Sequence, residues 1–116
     1  MSADSPESSV RRVRWVGRTA VVEVQGDIDL GRSTRFQQSL LEVMDGEPER
    51  VVVNLADVPY MDSSGVASLV KLLARARKQE VVLRLAGMCD RVRSIFEITR
   101  LDTVFEIHPT EEEALA

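Results

Sequence analysis

Val51-Val52-Val53-Asn54-Leu55-Ala56-Asp57-Val58-Pro59-Tyr60-Met61-Asp62-Ser63-Ser64-Gly65-Val66 decides how this 116-residue chain is read. The run Val51 to Leu55 is rich in β-branched residues, the composition of a strand buried in a sheet. After Asp62-Ser63-Ser64-Gly65 the period changes: Val66, Leu69, Val70 and Leu73 recur at helical spacing, with Lys71, Arg75 and Lys78 largely off that face. A strand therefore runs through a loop into a helix. Asp62 is placed as the N-cap, its carboxylate accepting the N–H of Ser64 or Gly65. Ser63 becomes the first helical residue, with its hydroxyl outside the core.

The same alternation extends in both directions. Upstream, Arg12-Val13-Arg14-Trp15-Val16 and Thr19-Ala20-Val21-Val22-Glu23-Val24-Gln25 alternate polar and apolar around Gly17-Arg18, which predicts an antiparallel hairpin. Gly26-Asp27-Ile28-Asp29 is a polar connection, and Phe36, Leu40, Leu41 and Met44 mark a helix of about four turns that stops at Asp45-Gly46 and Pro48. Downstream, Val81 to Ala86 reads as a strand, Val92, Ile95, Phe96 and Thr99 as a helix with Asp90 as its cap, and Thr103 to Ile107 as the last strand. Thr110-Glu111-Glu112-Glu113 spells a capping box for a short terminal helix. Strands alternating with helices require right-handed crossovers and a largely parallel sheet. Arg84 in mid-strand and Glu23 and Gln25 in the second strand predict that helices do not cover both faces. Residues 1–9, with four Ser, one Pro and two acids, read as a flexible tail, leaving residues 10–116 as one domain.

Composition narrows the function. Fifteen Lys and Arg against nineteen Asp and Glu leave a formal charge of -4, and aromatics make up 4%. That balance argues against nucleic-acid binding, which favours a basic field and stacking platforms. One Cys (Cys89) and one His (His108) cannot build the usual zinc or haem ligand sets, and Cys89 is expected as a small buried hydrophobe. No run of 18 apolar residues suggests membrane insertion, so a soluble, cytoplasmic protein without a cofactor is expected. The glycines form neither a dinucleotide fingerprint nor a phosphate-binding P-loop. Ser63 lacks the upstream glycine of a nucleophile elbow, since Met61 occupies that place. A phospho-aspartate receiver would need a lysine ending the last strand, and the only lysines, Lys71 and Lys78, fall in the second helix. The chain is therefore not expected to be an enzyme.

What remains is an acid, two hydroxyls and a glycine at a helix start. Asp-Ser-Ser is also ordinary helix-start chemistry that requires no function. Phosphate on Ser63 would nevertheless sit at a helix N-terminus, where free N–H groups and the dipole favour negative charge, so the fold would stay intact. The added charge of about -1.5 to -2 would lie beside Asp62, with Asp29 expected nearby. Gly65 is expected to leave the approach to the serines uncluttered.

With these residues in hand, the chain resembles the STAS domain family, in particular stand-alone anti-sigma factor antagonists of bacterial partner-switching systems, from about Val13 to Leu115. Gly26-Asp27-Ile28-Asp29 resembles the family's element after the second strand. Asp62-Ser63-Ser64-Gly65 matches its phosphorylation motif, with Ser63 at the phosphoacceptor position, and Val92 to Asp102 resembles its third helix and following turn. Arg100 stands where the family commonly has glycine, and Ala67 where a glycine often follows. The resemblance implies an α/β fold: a βα superhelix with a mixed, mostly parallel sheet, an N-terminal hairpin and helices mainly on one side. It further implies a switch. The unphosphorylated protein binds an anti-sigma factor that is also a serine kinase and so frees a sigma factor; phosphorylation of Ser63 ends the binding, and a PP2C-type phosphatase resets it. The partner-binding face is then expected to comprise Asp27, Asp29, Tyr60, Met61, Asp62, Ser63, Ser64, Gly65 and Ala67, on a monomer or weak dimer. The alternative within the family is a STAS subunit of a lipid-trafficking ABC transporter or of a stress-signalling assembly.

Overall fold

Successive strand residues point to opposite sides of a sheet, and that parity divides this molecule into two unlike faces. The computed structural model describes residues 8–116. In chain order the elements are β1 (Val10–Val16), β2 (Thr19–Gln25), α1 (Leu30–Met44), β3 (Arg50–Asp57), α2 (Ser63–Lys78), β4 (Val82–Ala86), α3 (Asp90–Ile98), a 3-10 turn (Leu101–Thr103), β5 (Glu106–His108) and α4 (Glu111–Leu115). The strands lie in the order β1-β2-β3-β4-β5, antiparallel between β1 and β2 and parallel elsewhere. This is the mixed α/β architecture with an N-terminal hairpin that the alternation predicts.

On one face Ala20, Val22 and Val24 of β2, Val51, Val53 and Leu55 of β3, and Leu83 and Leu85 of β4 form the main core. They meet Phe36 and Leu40 of α1, Leu69 and Leu72 of α2, and Val92 and Phe96 of α3. α1 and α2 lie side by side, tied by the Ser68 hydroxyl donating to the Ser33 carbonyl at 3.1 Å and by Arg75 pairing with Asp45 at 3.5 Å.

Among the described residues the other face carries only α4, whose Ala114 and Leu115 pack on Val21, Val52 and Ala86. Around that small patch the mid-strand polar residues neutralise one another. Glu23 accepts from Arg11 at 3.3 Å, Arg12 at 2.8 Å and Arg14 at 3.3 Å, and is only 8% exposed. Asn54 donates to Glu111 at 3.0 Å, Arg14 pairs with Glu111, and Arg84 pairs with Glu106. The expectation of a face not covered by large helices holds, although Glu23 is buried among arginines and not held in solvent.

Three boundaries differ from the sequence reading. Ser8 and Ser9, assigned to the tail by composition, are buried: the Gln25 N–H donates to the Ser9 carbonyl at 2.8 Å and the Gln25 side chain to the Ser8 carbonyl at 3.1 Å. The rest of that segment, residues 1–7, lies outside the described residues. The last strand starts at Glu106 because Phe105 turns inward to meet Phe96 edge-on, ring centroids 5.5 Å apart, and a 3-10 turn occupies Leu101–Thr103. Cys89, not Asp90, is the N-cap of α3, and its side chain makes no capping hydrogen bond. Arg100 adopts φ 61°, the left-handed conformation that explains a glycine preference at this turn.

Candidate functional site

The loops after β2 and β3 continue the parallel pairing of their strands. The Gly26 N–H donates to the Asp57 carbonyl at 3.0 Å, the Ile28 N–H to Tyr60 at 3.0 Å, and the Asp62 N–H to Ile28 at 3.0 Å, so Ile28 and Met61 form a parallel bridge. Both loops thus deliver their last residue, Asp29 and Asp62, to adjacent helix starts.

Asp29 caps α1, its carboxylate accepting the Arg32 N–H at 3.2 Å and the Arg32 guanidinium at 2.8 Å. Asp62 caps α2 and also reaches α1. Its Oδ1 accepts the N–H of Ser64 at 2.9 Å, the N–H of Gly65 at 3.3 Å and the Ser64 hydroxyl, while Oδ2 accepts the N–H of Leu30 at 3.1 Å. The Ser64 hydroxyl, then the Gly65, Ser64 and Leu30 amides, hold this carboxyl below its usual range against a counteracting burial effect. One carboxylate therefore staples two helix N-termini together.

The two serines are separated by this arrangement. Ser64 is half-buried and its hydroxyl is committed to Asp62. Ser63 is exposed as the first residue of α2, and among the described residues its hydroxyl has no hydrogen-bond partner. Two of the N-terminal donors expected to be free for a phosphate are taken. The Ser64 and Gly65 amides already belong to Asp62, so a phosphate on Ser63 adds charge beside a carboxylate that holds them.

Two expected surface residues work from beneath instead. Met61 is 4% exposed and packs under α2, so its side chain is not part of the outer face. Gly65 is buried: a Cβ there would stand 2.7 Å from both Ile28 Cγ2 and Met61 Cγ. Its small size lets the helix settle onto the bridged loops, which is a packing role and not an open approach to the serines. Asp27 and Ala67 are exposed, and Asp29, Tyr60 and Asp62 partly so.

Sequence reasoning missed two side chains here. Arg91 of α3 lies over the Tyr60 ring, its guanidinium carbon 5.2 Å from the centroid. Leu30 is 76% exposed although its backbone is bound to Asp62. No local signal marks either, since each depends on which helix start lands beside which loop. Cys89 is half-buried, with its thiol directed at the Val58 and Pro59 carbonyls at 3.6 and 3.9 Å. Among the described residues no group of His, Cys, Asp and Glu is placed to hold a metal ion, and no helix is long and apolar enough to cross a membrane.

Comparison with known proteins agrees with this geometry. The family model described as STAS domain matches residues 11–114. The chain is similar to an anti-sigma-B factor antagonist from Listeria monocytogenes, 32% identical over 90 residues, which span 78% of this chain and 79% of that protein. Among solved structures, an anti-sigma factor antagonist from Mycobacterium paratuberculosis superposes with a TM-score of 0.84 at 26% identity, covering 90% of this chain and 88% of that one. The phosphorylated form of the Bacillus cell fate determinant SpoIIAA shares the fold, with a TM-score of 0.70 at 22% identity over 90% of this chain and 95% of its own.

Proposed function

The chain belongs to the STAS domain family, and on that premise we propose that it is an anti-sigma factor antagonist whose binding is switched off by phosphorylation of Ser63. The unmodified protein binds an anti-sigma factor that is also a serine kinase, releasing a sigma factor. Its similarity to anti-sigma factor antagonists supports the antagonist role, and the observation that carries the switch is the exposed, unpartnered Ser63 hydroxyl beside a hydrogen-bonded Ser64.

In the transfer, the Ser63 oxygen attacks the γ-phosphorus of the kinase's ATP, the bond to ADP breaks, and the serine proton passes to a base on the kinase. The chain itself supplies only the acceptor and the docking face, made of Asp27, Asp29, Tyr60, Asp62, Ser63, Ser64 and Ala67. Met61 and Gly65 hold that face in shape from below. A PP2C-type phosphatase restores the hydroxyl by adding water across the phosphoester, releasing inorganic phosphate. The phosphate blocks docking because its bulk and charge would have to be desolvated against the partner beside Asp62, which already holds the Ser64 and Gly65 amides.

Incubating the protein with ATP and the anti-sigma serine kinase of its own genome should place phosphate on Ser63, mapped by mass spectrometry. Ser63→Asp should weaken kinase binding tenfold or more with an unchanged circular-dichroism spectrum. Phosphate found only on other residues, or normal binding by Ser63→Asp, would overturn the reading.

A further inference from the structure

Leu30 combines features that exposure alone does not explain. It is the first residue of α1 and 76% exposed, and its N–H donates at 3.1 Å to the carboxylate that caps α2. Its backbone is therefore fixed relative to Ser63, the residue that follows Asp62. An apolar side chain on a fixed backbone loses little freedom when a partner covers it, which is the condition for an efficient binding anchor. On the outer row of α2, Ser63 and Ala67 carry short exposed side chains.

The charges around Leu30 indicate what covers it. Asp27 has no cationic partner among the described residues, and Asp62 is bonded only to amide and hydroxyl donors. Asp29, directly before Leu30, is paired with Arg32. The complementary surface is an apolar socket with basic residues on its rim. By contrast Ile98, 82% exposed at the end of α3, has among the described residues no hydrogen bond joining it to the start of α2.

Resting on the reading of Ser63 as the switch, we propose that Leu30 is the apolar anchor of the docking face, seated in a basic-rimmed apolar socket of the serine-kinase partner. Leu30 then sets affinity and partner choice, while Ser63 sets whether docking occurs.

The test uses the full chain and the anti-sigma serine kinase of the same genome, with affinity measured by calorimetry and folding by urea denaturation. Leu30→Ala should weaken binding tenfold or more with an unchanged urea midpoint, Leu30→Met should retain most of the affinity, and Ile98→Ala should change it less than twofold. Binding of Leu30→Ala within twofold of wild type, while Ser63→Asp still abolishes binding, overturns the anchor and leaves the switch standing. Equal losses from Leu30→Ala and Ile98→Ala also overturn it. Normal binding by Ser63→Asp removes the switch, and the anchor with it. Should Leu30→Ala shift the urea midpoint, Leu30→Gln at this exposed position decides: tenfold weaker binding by a stably folded Leu30→Gln supports the anchor, and wild-type affinity by it rejects the anchor.

Discussion

Two groups of carboxylates in this molecule are held in opposite ways. On the α4 side of the sheet, Glu23 lies among Arg11, Arg12 and Arg14, and Glu111 and Glu106 face Arg14 and Arg84. At the starts of α1 and α2, Asp29 is paired with Arg32, but Asp62 is held by backbone amides and a hydroxyl, and Asp27 by no cation among the described residues. The first arrangement cancels charge within the chain and serves the fold. The second fixes the position of negative charge without cancelling it, which leaves it for a partner to meet.

If that contrast is right, substitutions in the two groups separate stability from docking. The largest stability effect is expected from Glu23→Ala, which leaves three arginines without their common acceptor. Because those arginines are partly solvated, the cost is about 2 kcal/mol, below that of breaking a fully buried pair. Urea denaturation measures it, and kinase affinity should not change. A loss of affinity equal to that of Ser63→Asp would erase the distinction between the groups.

Asp62→Ala comes next. It removes the α2 cap and the acceptor of the Leu30 amide together, so about 1.5 kcal/mol of stability should go. Here the phosphorylation rate of Ser63 should change as well, since the register of the two helix starts is loosened. A purely structural effect, with phosphorylation kinetics unaltered at full folding, would place Asp62 in the first group.

Acidification sharpens the contrast from another side. Arg12 foremost, then Arg14 and Arg11, holds Glu23 below its ordinary value of 4.5, and the Ser64 hydroxyl foremost holds Asp62 below 3.8. With folded values depressed, the unfolded chain binds more protons in the acid window. The stabilisation is complete above the ordinary values and is lost as pH falls through the folded ones. Stability should therefore decline below about pH 4.5 by roughly 1 kcal/mol or more, and Glu23→Gln should flatten the upper part of that decline.

The smallest stability change is expected at Asp27. Asp27→Asn should alter unfolding free energy by less than about 0.5 kcal/mol, as for an exposed side chain with no partner. Binding to the kinase should nonetheless weaken severalfold and lose part of its salt dependence. An Asp27→Asn protein that docks like wild type at low salt would take this residue out of the docking face.

Much of the site could be read along the chain because helix starts are governed by short-range chemistry. The carboxylate of Asp62 and the amides of Ser64 and Gly65 are at most three residues apart, so the cap follows from identity and spacing. The capping Thr110 hydroxyl accepting the Glu113 N–H at 3.1 Å follows in the same way. The β-branched run Val51 to Leu55 and the helical spacing from Val66 likewise predict the strand and helix that carry Ser63 outward.

Other features needed distant parts of the chain to meet. Gly65 is small because Ile28 and Met61 lie beneath it, and Leu30 reaches Asp62 across 32 residues of sequence. Phe105 turns inward to Phe96 instead of extending the last strand, and Ser8 and Ser9 are tied to the distant Gln25. The chain by itself thus determined its order of strands and helices and the exposure of Ser63, through periodicity and local hydrogen bonding. Tertiary structure alone decided that one carboxylate would serve two helices and that Leu30 would stand beside the acceptor, because parallel pairing of β2 and β3 brings both helix starts to the same end of the sheet.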